Sequence, residues 1–283
     1  MATEMITDIE TPDEEELESP VSRPLAARVW SSVWPKLAAI ALVVAAWEIV
    51  VLSGWKADYI LPGPLPVFLR LGQDLGQSDF YVGMAVTLRR AAEGYAIALV
   101  IGSALGILVA RVPFLRKAVG SAILGFQSMP SIAWFPLAIL LFGIAEGSIL
   151  FVIILGAAPS IAGGLLSGID HVQPLLVRVG RMMGARGFRL FRHVILPAAL
   201  PSFVGGMKQG WAFAWRSLIA GEILVTVSHQ PSLGQQIQFA RDLADAEQLV
   251  ALIIVILIIG ILIDALFGVL DREIRRRWGL SVA

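Results

Sequence analysis

AVGSAILGFQSMPSIAWFPLAILLFGIA, residues 118–145, contains no charged side chain, and after Glu146 the run GSILFVIILGAAPSIAGGLLSGI, residues 147–169, contains none either. A helix needs about 20 apolar residues to cross the hydrocarbon core of a bilayer. Both runs are therefore read as membrane spans. Working outward, four more runs of similar length follow. Residues 37–54 are broken only by Glu48, 91–110 by Glu93, 202–225 by Lys208, Arg216 and Glu222, and 248–269 by Asp264. The runs are continuous rather than alternating, which favours helices over barrel strands. The expected fold is an all-α integral membrane protein with about six transmembrane helices.

Composition agrees. Of 283 residues, 57% are hydrophobic and 16% are charged, against about a quarter charged in soluble domains. There is no cysteine, which excludes disulfides, thiolate metal sites and cysteine nucleophiles. The net charge of zero hides an uneven distribution. Residues 1–20 hold eight acids and no base, so the rest of the chain carries an excess of eight bases. The acidic head has no apolar stretch, is not a signal peptide, and reads as a solvated tail. The expected organisation is a tail and amphipathic lead-in over 1–35, a six-span domain over 36–272, and a basic terminus over 273–283.

Six crossings put both termini on one side. If that side holds the N-terminus, 111–117, 170–192 and 271–283, it carries 15 bases against five on the other. The positive-inside rule then places both termini in the cytoplasm of a multi-pass cell-membrane protein. Trp30, Trp34, Trp55 and Trp278 fall at span ends, as an interfacial aromatic belt requires.

The longest inside connection, 170–201, has internal order. Arg186, Arg189 and Arg192 recur every third residue, and Phe188, Phe191 and Ile195 form a second stripe. A short amphipathic helix is expected between spans four and five, ended or kinked by Pro197 and Pro201. Periodicity alone also fits a basic helix lying on anionic lipid.

The segment Gly184-Ala185-Arg186-Gly187-Phe188-Arg189-Leu190-Phe191-Arg192-His193-Val194-Ile195-Leu196-Pro197 resembles the cytoplasmic signature of permease subunits of binding-protein-dependent ABC importers. That signature reads E-A-A, three residues, Gly, nine residues, then I-x-L-P. The Glu-Ala-Ala part is replaced here by Arg178-Val179-Gly180. Ile60-Leu61-Pro62-Gly63-Pro64, Thr87 to Tyr95, and Met129 to Leu137 with Leu141 to Ile144 are similar to the nitrate/sulfonate/taurine branch. The resemblance covers roughly 37–278. It implies a type I importer-like fold, a homodimer, two cytoplasmic ATPase subunits binding ATP and Mg, and an extracytoplasmic binding protein. It also implies that Gly184, Arg186, Phe188, Arg189, Phe191, Arg192, Leu196 and Pro197 couple to the ATPase. The four lysines follow Pro35, Trp55, Arg116 and Met207, so no Gly-Lys-Ser/Thr phosphate loop exists. ATP hydrolysis is expected on another chain, and this chain is expected to bind no cofactor and to be no enzyme.

Arg216 is the most informative single residue. A charge in mid-span costs about 2.5–3.5 kcal/mol on insertion scales and faces a cavity or a partner. It is either a guide for an anion or one half of a structural pair with Glu222 or Glu48. Glu222 lies six residues on, about 120° around a straight helix, which is poor for a direct pair. Lys208 reads as snorkelling, and Asp264 and Glu93 as interfacial. Gln127, Ser128, Pro130, Ser131 and Trp134 mark a proline-broken third span, and broken helices recur at transport sites. With Trp215, Arg216 and Glu222 they form the candidate substrate pathway. His171, His193 and His229 are scattered, so no metal site is expected, and no surface suggests nucleic acid. The expected function is import of a small anion: alkanesulfonate or taurine, or nitrate. The alternatives are an ABC permease for another solute, a secondary transporter, which would show an internal repeat, and a membrane enzyme, which would need paired polar groups at one depth.

Overall fold

A computed structural model describes residues 25–227 and 230–278. The acidic tail and His229 lie outside the described residues. The chain divides into two compact units, residues 1–55 and 56–283. The first contributes α1 (Leu25–Leu52), an apolar helix with Pro35 inside it and with Trp30 and Trp34 stacked near its start. Glu48 is exposed on it.

The second unit holds α2 (Pro64–Asp74), α3 (Ser78–Arg111), α4 (Pro113–Ser128), α5 (Phe135–Phe142), α6 (Glu146–Asp170), α7 (Pro174–Met182), α8 (Gly187–Leu190), α9 (Leu196–Leu224), α10 (Leu233–Asp242) and α11 (Ala246–Arg277). Among the described residues α1, α3, α6, the helix ending in α9, and α11 are each long and apolar enough to cross a membrane. The third expected run is helical but divided. Met129 is extended before Pro130, as a residue preceding proline prefers. A 3₁₀ turn, Ser131–Trp134, then leads into α5. Neither piece alone is span-length.

The core is built by α3, α6 and α9. Lipid tails are as apolar as leucine, so helices in a bilayer associate through close packing of small residues rather than through hydrophobic burial. That is the pattern here. A Cβ added at Gly164 would stand 2.5 Å from the Gly206 Cα, so α6 and α9 meet backbone to backbone. Ala98, Ile149, Ile153, Ala157, Ile161 and Leu218 belong to the core packed between these helices and are all fully buried. At the end of the bundle that carries α10, Arg70 bonds Gln248 at 2.6 Å and pairs with Asp74 and Asp245, joining α2 to α11. Burial pushes the Asp74 carboxyl above its usual range, against the pull of Arg70.

The opposite end carries a helix–turn–helix. α7 closes on Gly184, whose φ of +82° is the left-handed conformation that favours glycine. Ala185 N–H donates to the Gly180 carbonyl, and Gly184 N–H to that of Arg181, which satisfies two carbonyls at the helix end. One expectation, that the prolines end or kink the helix, is narrowed here. Pro197 and Pro201 do not end the helix; one helical run extends over Gly187–Leu224. Pro197 has no N–H, and its ring would crowd the carbonyl four residues back. The chain absorbs this in a π-turn over Phe191–Ile195, where Leu196 N–H donates to the Phe191 carbonyl, five residues back. Pro201 is held inside α9 and buried.

Candidate functional site

The charged side chains within the helical bundle fall into two separate groups. The first lies at the α10 end. Thr87 Oγ1 donates to Glu222 Oε2 at 2.9 Å and accepts from the backbone N–H of Leu233. Gly234 N–H donates to the same Glu222 oxygen. Arg90 donates to Glu222 Oε1 and to Glu146 Oε1, both at 3.1 Å, and to Gln230. Arg89 joins Glu146 and Glu93. The side chains of Arg90 and Glu222 are 1% and 0% exposed. This network ties α3, α6 and α9 to the start of α10. Every charge in it is paired, and buried charges persist only under that condition.

Two expectations change as a result. Arg89 and Arg90, two of the five bases counted on the outer side with Lys56, Arg70 and Arg241, lie inside α3, which begins 13 residues before the predicted span. Glu222 pairs with Arg90 rather than with Arg216, and its side chain is fully buried.

The second group lies along a groove of about 810 Å³ between α9 and α11. Trp211, Trp215, Ile219, Ile256 and Gly260 line it, with Arg216 and Asp264 as its charged residues. Arg216 is exposed. Its Nε donates to the Ala212 carbonyl at 3.0 Å, and its guanidinium lies over Phe213 at 5.0 Å. Among the described residues no carboxylate ion-pairs with it. Lys208 and Asp264, expected to snorkel and to sit at the interface, pair with each other at 3.2 Å.

The break in the third run forms a separate place. Gln127 Nε2 donates to the Pro159 carbonyl at 3.0 Å, and Ser128 bonds the Gly125 carbonyl. Trp134 stacks on Phe126. A Cβ at Gly156 would stand 2.7 Å from Ser217 Oγ and 3.6 Å from Ser131 Cβ, so α6 and α9 close around the break. Of the candidate pathway residues, Trp215 and Arg216 share the groove; Gln127, Ser128, Pro130, Ser131 and Trp134 cluster at the break.

At the α7 end, Arg186, Arg189 and Arg192 are carried by the turn and by the helix after it. Arg111 from α3 lies over Phe191 at 4.1 Å and over Phe188 at 5.2 Å. Arg116 pairs with Asp170. Gly180 was noticed only as a departure from the signature, yet it does structural work: a Cβ there would come within 2.9 Å of Leu190 and Val194. Its absence lets α7 lie against the following helix. His171 and His193 hold their Nδ1 atoms 2.8 and 3.0 Å from carbonyls of their own turns.

The profile of binding-protein-dependent transport system inner membrane components matches residues 98–276, most of the helical bundle. The chain belongs to this family. The permease is 30% identical, over 81% of its length and 86% of the relative, to an Escherichia coli (strain K12) permease protein ascribed to aliphatic sulfonates transport. It is 27% identical to the taurine transport system permease protein of the same organism, covering 89% of this chain and 90% of that one. The nitrate import permease protein of Synechocystis sp. is 28% identical, over 82% and 86%. Among solved structures, the MetNI methionine ABC transporter in inward-facing conformations matches with a TM-score of 0.58 at 22% identity, over 68% of this chain and 94% of that one. A bacterial alginate ABC transporter in complex with its pentasaccharide-bound periplasmic protein matches with 0.55 at 15%, over 90% and 100%. These likenesses show the type I importer fold. The permease is a transport subunit rather than an enzyme, in a family of multi-pass inner-membrane components.

Proposed function

We propose that this permease carries a small oxyanion, an aliphatic sulfonate, taurine or nitrate, inward through a homodimer driven by two cytoplasmic ATPase subunits. The observation that carries the anion is Arg216, an exposed guanidinium with no carboxylate partner among the described residues, in an apolar groove. In a low-dielectric wall a fixed positive charge attracts an anion and repels a cation far more strongly than in water. The relatives ascribed to sulfonates, taurine and nitrate support the same class. An extracytoplasmic binding protein delivers the anion. ATP and Mg are held by the ATPase, since this chain has no phosphate loop.

In this reading residues 36–272 form the permease domain, 170–201 its coupling loop, and 273–283 a basic cytoplasmic end. The helix–turn–helix around Gly184 docks the ATPase with Arg186, Phe188, Arg189, Phe191 and Arg192, while Leu196 and Pro197 join it rigidly to α9. Six crossings, the third made by α4 and α5 together, leave both termini in the cytoplasm. Reporters after Leu115 and Ile274 then report cytoplasm, and one within Gln230–Gly234 reports the exterior. The functional test is reconstitution of the permease with its ATPase and binding protein in vesicles. ATP-dependent uptake of labelled ethanesulfonate, taurine or nitrate is expected; uptake of a neutral or cationic solute with none of any anion would overturn the reading.

A further inference from the structure

Arg216 and Asp264 line the α9–α11 groove, and a second cation, Lys208, reaches it through its ion pair with Asp264. Arg216 and Lys208 both stand on α9, eight residues apart, which is about 12 Å along the helix axis. Their surroundings differ. Among the described residues no acid ion-pairs with Arg216, whereas Lys208 pairs with Asp264 of α11 at 3.2 Å, both side chains being 39% and 53% exposed. Asp264 lines the same groove as Arg216, and the walls between them are apolar, with Trp211 and Gly260 among them. We propose that the groove is a two-station anion path, in which Arg216 holds the anion first and Lys208 receives it second by displacing Asp264, its resident counter-ion.

This inference rests on the anion-importer reading and adds the second station and the role of Asp264. The physical argument is one of alternatives for an ion between apolar walls. An anion there is stable only beside a cation. From Arg216 the cation one step along is Lys208, within the reach of a short oxyanion and two flexible side chains. A bare lysine at that depth would be costly while the path is empty and would trap the anion when it arrived. Asp264 answers both needs. It neutralises Lys208 while the path is empty, and it competes for Lys208 once the anion has arrived, which promotes release. A half-exposed ion pair is weak enough to open on each passage. The class of ligand follows: a monovalent oxyanion with a small apolar body, the oxygens facing the cations and the body facing tryptophan and isoleucine.

The test uses the full permease–ATPase complex without binding protein and labelled ethanesulfonate as probe. Asp264→Asn removes the competitor, so affinity is expected to rise about fivefold, the worth of one such pair. Uptake per complex, measured with binding protein present, should fall because release slows. The double variant Lys208→Gln/Asp264→Asn should lose the gain in affinity, and Asp264→Glu should restore normal uptake. A merely structural pair does not predict tighter binding together with slower uptake. Unchanged or weaker affinity in Asp264→Asn would overturn the proposal, as would a gain that survives Lys208→Gln. Asp264→Asn failing to assemble, with assembly restored in the double variant, would also overturn it by reducing the pair to structure. If the wild-type complex imports anions while Asp264→Asn changes nothing, only the two-station path falls. If the wild type imports no anion at all, the importer reading falls with it.

Discussion

Arg90 and Arg216 are both arginines set inside apolar helices, and the protein treats them in opposite ways. Arg90 is sealed in, with Glu222, Glu146 and Gln230 taking its donors. Arg216 faces a groove, where its Nε donates to the Ala212 carbonyl of its own helix and its guanidinium lies over the Phe213 ring, and among the described residues no carboxylate ion-pairs with it. Desolvating a charge costs several kcal/mol unless it is paired. The network at the α10 end therefore holds the helices together, while on the proposed function the groove keeps a charge available to a ligand. Intramembrane charge alone does not identify a transport site; whether its partner is already present in the chain does.

The comparison can be broken most forcefully at the buried end. Arg90→Met strands the buried Glu222 carboxylate, while Glu146 keeps Arg89, and removing one partner of a buried pair costs about 3–5 kcal/mol. The yield of detergent-extracted, monodisperse permease should collapse, and Arg90→Met with Glu222→Gln should recover part of it. A normal yield from Arg90→Met alone would dissolve the distinction. At the other end the helices are held by packing and backbone geometry instead. Gly180→Val overpacks α7 against Leu190 and Val194, at about 1–3 kcal/mol, and should lower ATPase co-purification without stopping insertion. Gly184→Val forces a β-branched residue into the left-handed region, at about 1–2 kcal/mol, whereas Gly184→Asn should keep most substrate-stimulated ATP hydrolysis. Nothing lies within 4 Å of a Cβ at Gly184, so equal loss in the two variants would mean that space rather than handedness is limiting. The smallest effect belongs to Arg111→Gln, which removes a cation–π contact worth about 0.5–1 kcal/mol and should shift thermal unfolding only slightly.

Five of the six apolar runs form span-length helices, and these were legible because a bilayer demands length and low charge, and both can be counted along a chain. The divided third run was legible too, since Pro130 and Pro136 stand in it. Other features were hidden by neighbours distant in sequence. Arg89-Arg90 reads as a loop pair until Glu146 and Glu222 are seen beside it, 56 and 132 residues away. The available signal was that both acids fall at span ends on the same side as the arginines. Pro197 and Pro201 read as ending or kinking the helix because propensity says nothing of the π-turn that accommodates Pro197. Lys208 and Asp264 were each given a separate interfacial role, since nothing local shows that α9 and α11 are adjacent.

The central claim is that Arg216 serves the transported anion and not the fold. The most direct measurement takes Arg216→Gln and records two quantities: the yield of folded permease–ATPase complex, and anion uptake per complex in vesicles with the binding protein present. The expected result is an unchanged yield with uptake per complex lowered tenfold or more, and partial retention of uptake in Arg216→Lys, which keeps the charge but loses the planar fork. A reduced yield with normal uptake per complex would contradict the account and make Arg216 a structural residue like Arg90.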